Sequence, residues 1–165
     1  MNGASPHLER TLKRIAILVF LLAAVQHAQA DDLKVPRNAL WETECGACHV
    51  QFPPQLLTAD NWKEMMDGLA RHFGSNAELD AKERKAITRF LVENAGTQAR
   101  HHSASLRITE TPWFKREHRS ISPKEWVHPD VKTPSNCKAC HNVVGHTRWS
   151  ERDLRKSGQR HGDDD

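Results

Sequence analysis

Two five-residue words dominate the chemistry open to this chain: Cys45-Gly46-Ala47-Cys48-His49 and Cys137-Lys138-Ala139-Cys140-His141. Together they use all 4 cysteines of the 165 residues. Cys-x-x-Cys-His is the spacing of covalent c-type haem attachment. Two thiols add to the two vinyl groups of the macrocycle, and the adjacent imidazole ligates the iron. A thioredoxin-like dithiol belongs in a strand–helix setting, which neither word has. A zinc site would have to join two halves far apart in sequence. A disulfide framework would leave both appended histidines unexplained. The pattern therefore predicts two covalently attached haems c (iron). Cys45, Cys48, Cys137 and Cys140 would carry them, with His49 and His141 on the irons.

The opposite axial positions decide what such irons can do. A second histidine closes the iron for electron transfer, methionine raises the potential, and an open position admits a small ligand. His72 ends a helical stretch beside Phe73-Gly74, where a small haem domain would present a distal ligand. Met65 and Met66 compete with it. For the second haem the candidates are His118, in the run Phe114-Lys115-Arg116-Glu117-His118-Arg119, and His128, after Trp126-Val127. His101-His102 reads as surface loop, His146 lies too close after the second motif, and His161 belongs to the tail.

Elements must position these groups. Asn38–His49 reads as a short helix delivering the first motif, with Pro36 just before it. Trp41, four residues before Cys45, shares its face. A carbonyl of the rigid Phe52-Pro53-Pro54 turn could accept the second ring N–H of His49. A second helix is expected from an Asp60 cap to a Gly74 stop. Trp62, Met65, Met66 and Leu69 form its apolar stripe. Asp80-Ala81-Lys82-Glu83 opens a third helix, which runs to about Asn94 and buries Ile87, Phe90 and Leu91. Residues 95–135 are polar and basic, without periodicity, and carry Trp113-Phe114 and Trp126 as apolar anchors. The second motif follows Thr133-Pro134-Ser135-Asn136, a turn or cap.

Residues 1–30 read as a cleaved secretory signal: Arg10, Lys13 and Arg14, then the apolar Ile15–Val25, then Ala28-Gln29-Ala30. The apolar run is short for a membrane span, and no second such run follows. Without Glu9, Arg10, Lys13 and Arg14 the chain is near charge balance, so its formal +3 gives no basis for nucleic-acid binding. Export to the periplasm agrees with covalent haem attachment, which takes place outside the cytoplasmic membrane in bacteria. The expected layout is a signal at 1–30, a helical haem domain at 31–97, a second haem domain at 98–155 and a disordered tail at 156–165.

The first unit resembles a class I cytochrome c through Trp41, the haem motif and a last helix with Phe90-Leu91. It departs at Arg37 and at His72. The whole stretch from Trp41 to Gly145 resembles the small dihaem cytochrome c family. The resemblance rests on Trp41–Glu44 with the first motif, Pro53-Pro54, Leu56-Leu57, Trp62, Met65-Met66 and His72-Phe73-Gly74. Asn76-Ala77, Ile108-Thr109, Thr111, His118 and Asn136 with the second motif extend it. It implies a mainly α fold: a class I cytochrome c-like helical domain followed by a smaller, irregular haem-binding domain. It also implies bis-histidine ligation, with His72 and His118 as distal ligands. The associated redox partners are a high-spin monohaem cytochrome c and membrane cytochrome b. The expectation is an exported dihaem electron carrier without catalysis of its own. The alternative is a haem enzyme or gas-binding protein with one open iron.

Overall fold

The computed structural model describes residues 33–141 and the short strand at 148–149; the signal, its cleavage site, His146, His161 and the tail lie outside the described residues. The described chain is mainly helical. Its one strand pair joins β1 (Leu33–Lys34) antiparallel to β2 (Arg148–Trp149), with Leu33 opposite Trp149. Among the described residues no helix is long and apolar enough to cross a membrane.

Helix α1 (Ala39–Gly46) starts where the Asn38 side chain accepts the Trp41 N–H at 2.9 Å. That bond satisfies one of the amides a helix start leaves without a partner. Helix α2 (Ala59–Asp67) starts on Thr58 and not on Asp60. Thr58 is extended and its hydroxyl accepts the Asn61 N–H, whereas Asp60 already lies in the first turn and pairs with Lys63 at 3.0 Å. The helix also stops earlier than Gly74. Gly68 caps it and the chain tightens into a 3₁₀ turn at Leu69–Arg71, so the apolar stripe continues through a change of helix type. Trp62, Met65, Met66 and Leu69 are all buried, as the stripe predicts. Helix α3 (Ala81–Glu93) begins on Asp80, whose carboxylate accepts from Lys82 N and Glu83 N, and ends at Asn94.

The core of this region joins Trp41, Leu57, Met65, Met66, Ile87, Phe90 and Leu91. Trp41 of α1 meets Phe90 of α3 at 5.3 Å between ring centres. Each fully buried aliphatic or aromatic side chain contributes roughly 1.5–3 kcal/mol. Trp62 is also tied by its indole N–H to Pro54 O at 2.6 Å.

After α3 the chain runs through 3₁₀ turns at Ala99–His101 and Ile108–Glu110. It then forms helices α4 (Pro112–Glu117) and α5 (Pro123–Trp126). Both begin with proline after a hydroxyl cap, Thr111 and Ser122. Proline suits that position because the first turn has no use for its missing N–H. A smaller cluster of Leu56, Trp113 and Phe114 holds this region, with Leu33, Phe52, Ile108 and Trp126 packed on it. The first region supplies Leu56 and Phe52. Asn61 of α2 adds a polar brace: it accepts from Ser103 N at 2.9 Å and donates to Ser103 O at 3.0 Å, both inside the protein. His101 is not a surface residue. It is 6 % exposed and lies against Trp113, 5.6 Å between ring centres, while His102 is exposed. Gly96 makes this possible, because a Cβ there would collide with Gln55 O and the His101 ring.

Candidate haem sites

The end of α1 places Cys45 in its last turn, against the core, and releases Cys48 and His49 to the surface just beyond it. His49 Nδ1 lies 2.7 Å from Val50 O. A carbonyl only accepts, so Nδ1 donates and Nε2 keeps its lone pair. The orienting carbonyl belongs to Val50, two residues before the Phe52-Pro53-Pro54 turn that the sequence points to. The turn contributes Phe52 instead, whose ring lies 4.9 Å from that of His49. His72 caps the Leu69–Arg71 turn, and the left-handed pair Phe73 (φ 50°) and Gly74 (φ 96°) then reverses the chain. The reversal brings the His72 ring to 6.2 Å from that of His49, with 23° between the planes. Phe73 lies 5.0 Å from His72 and is covered by the Arg107 guanidinium at 4.4 Å. Met65 and Met66 are buried in the core.

The second site repeats this plan with shorter pieces. Cys137–Ala139 form one 3₁₀ turn after Asn136, and His141 N closes it onto Cys137 O at 2.8 Å. Asn136 is held by its side-chain N–H on Val131 O at 3.0 Å. His118 caps α4, as His72 caps its own turn. Its Nδ1 donates to Phe114 O at 3.0 Å. The two rings of His118 and His141 stand 6.1 Å apart, at 67°. Phe114 lies flat on His118 at 4.0 Å and 19°, and Trp126 flanks both. A cavity of about 410 Å³ opens beside His118, lined by Phe114, Trp126, Thr109 and Pro134. His128 sits at a half-exposed turn, 3.6 Å from Asp130. The sequence singled out Phe114 and Trp126 only as anchors. Their place against His118 was readable for Phe114, which is four residues earlier on one helix, but not for Trp126.

Electrostatics favours neutral groups at both sites. Burial, with the Glu44 charge, pushes the Cys45 thiol up to about 11. Burial likewise lifts Cys137 to about 11, the neighbouring Cys140 adding to it. Thiols raised this far are poor thiolates, which speaks against a redox dithiol. Burial holds His72 below the usual imidazole value, helped by His49, and it lowers His118 against the opposing pull of Phe114 O and Glu117. A neutral imidazole is the form that binds a metal. Among the described residues no three His, Cys, Asp or Glu side chains converge as an alternative metal site. The donor sets therefore fit haem c: each motif pairs its thiols with a histidine whose ring centre lies about 6 Å from that of a second histidine, 6.2 Å at His49 and 6.1 Å at His141.

The comparisons agree. The family model for dihaem cytochrome c matches residues 41–148. A search of the curated proteins gave no match. Among solved structures, DHC purified from Rhodobacter sphaeroides is 40% identical, covering 73% of this chain and 99% of that one, with a TM-score of 0.58. A second structure, the diheme cytochrome c of the same organism, is 36% identical over 74% and 99%, TM-score 0.61. The diheme cytochrome type c of Shewanella baltica OS155 is 34% identical over 73% and 94%, TM-score 0.63. The two motifs, the helical fold and these matches converge: the chain carries two covalently bound haems c for electron transfer and belongs to the dihaem cytochrome c family.

Proposed function

We propose that this cytochrome is an exported, periplasmic carrier that passes electrons between redox proteins through two bis-histidine haems. His49 and His72 would be the axial pair of the first iron, His118 and His141 that of the second. The observation that carries this is the ring spacing. A metal–imidazole bond of about 2.0–2.1 Å plus ~1.1 Å from nitrogen to ring centre on each side puts two trans imidazoles roughly 6.2–6.4 Å apart. The two pairs stand at 6.2 and 6.1 Å. Each haem supplies one reversible Fe(III)/Fe(II) electron. The chain's part is to fix the ligands, close both irons to small molecules and wall the macrocycles with apolar side chains.

Two of the four rings support this part of the reading. Val50 O and Phe114 O orient His49 and His118 through their Nδ1–H groups, a placement that also raises ligand basicity. The haem units at 31–97 and 98–155 would each hold one motif, joined by residues such as Leu56, which packs with Trp113 and Phe114. Its partners would be of the kind the resemblance implies, a high-spin monohaem cytochrome c or a membrane cytochrome b.

His72→Ala and His118→Ala test the reading one iron at a time. Each variant is expected to turn one haem high-spin and carbon monoxide-reactive and leave the other unchanged. A His118→Ala protein with two unaltered low-spin haems would remove His118 from the ligand set. A wild-type iron that already takes carbon monoxide would favour the gas-binding or enzymatic reading.

A further inference from the structure

The two axial pairs differ in one respect that nothing in the motifs announces. His49 and His72 are near parallel at 23°, while His118 and His141 are crossed at 67°. The crossed arrangement has visible causes. His118 is pinned to the α4 backbone through Phe114 O at 3.0 Å, and its face is fixed on the Phe114 ring at 4.0 Å and 19°. Trp126 closes the third side at 5.9 Å and 49°. Trp126 is itself fixed, since α5 begins with a reciprocal Ser122–Glu125 capping box and the indole packs on Phe114 at 5.9 Å. Among the described residues the rings beside His72 are His49 and Phe73, and Phe73 is tilted by 59°.

We propose that Phe114 and Trp126 are positioning residues that hold His118 crossed to His141, so that the two irons are electronically distinct despite identical ligand types. The proposal rests on the bis-histidine reading above. Its physical basis is the ferric d-shell. A low-spin ferric iron has one hole in the orbital pair directed above and below the macrocycle nitrogens. Each imidazole donates from its filled π orbital, perpendicular to its ring, into one member of that pair. Parallel rings push on the same orbital and split the pair. Crossed rings push on both and leave the pair nearly degenerate. Axial-ligand geometry is thus a lever on the iron that acts beside ligand identity.

Low-temperature electron paramagnetic resonance of the oxidised dihaem protein separates the cases. The expected spectrum holds one rhombic low-spin signal, from the first haem, and one low-spin signal with a single large g value, from the second. Trp126→Leu or Phe114→Leu is expected to abolish the large-g signal, with a rhombic signal of equal intensity taking its place and the first haem's signal unmoved. Trp126→Phe, which keeps a ring against His118, is expected to retain it. Two rhombic signals in the wild type would overturn the proposal with the ligation intact. A high-spin signal in the wild type would instead overturn the ligation reading and this proposal with it. A large-g signal that survives both leucine variants would remove Phe114 and Trp126 as its cause.

Discussion

The two haem-bearing regions bind the same group with the same Cys-x-x-Cys-His spacing but are built to opposite plans. Residues 39–96 form three capped helices around one core, and Leu57, Ile87 and Leu91 there are at most 1% exposed. Residues 97–141 consist of turns and short helices, none longer than the 6 residues of α4. Their main cluster borrows Leu56 from the other region. A chain this sparing with aliphatic side chains cannot bury enough surface by itself to offset the entropy of ordering. It gains order from the rings stacked on His118 and from braces to its neighbour, and would gain more from the face of a bound haem. On the proposed ligation, a haem would substitute for a core: where the macrocycle supplies the apolar surface, local caps and aromatic contacts would be enough to hold the ligands.

This contrast is best broken at one residue in each half. Phe114→Ala removes the ring under His118 and is expected to cost about 4 kcal/mol. Its mark should be local: the second haem's absorption and ligation change while the first haem keeps its spectrum. Ile87→Ala, in the first core, is expected to cost about 3 kcal/mol by cavity formation. Chemical denaturation should show one lower midpoint, with both native spectra intact. If Ile87→Ala perturbed the second haem as strongly as Phe114→Ala, the regions would not be organised separately.

The brace between the halves comes next. Asn61→Leu leaves the buried Ser103 N–H without its partner, at about 1–3 kcal/mol partly offset by relaxation, while Ser103 O keeps the Leu106 N–H at 3.2 Å. Amide exchange at Ser103 and in α4 should rise well before exchange in α3 does. Equal protection in wild type and variant would mean that the brace is incidental. The smallest effect belongs to a helix start. Thr58→Ala should lower stability by ~1 kcal/mol, whereas Asp60→Ala should change the melting temperature little.

That last pair also shows where the sequence was readable and where it was not. Cap chemistry before an apolar run marked α2, but Thr58 and Asp60 both qualify, and only the backbone angle at Thr58 decides between them. Gly74 looked like the helix end because periodicity cannot register the change to a 3₁₀ turn at Gly68. The haem motifs, the Trp62–Leu69 stripe and the buried face of α3 were legible because they depend on spacing alone. His101 was not, since its burial against Trp113 comes from a close approach that Gly96 permits. The same holds for the pairing of His118 with His141. No periodicity joins them, and the family resemblance rather than the residue pattern pointed to His118. The 67° angle between those rings, which we propose Phe114 and Trp126 hold, could not be read at all.

The most direct measurement is the optical spectrum of the full dihaem protein, recorded oxidised, reduced, and reduced under carbon monoxide. The account predicts two low-spin c-type haems in both oxidation states and no shift with carbon monoxide, because the proposed imidazole pairs would occupy both faces of each iron. A high-spin band, or a prompt carbon monoxide shift at either haem, would contradict it.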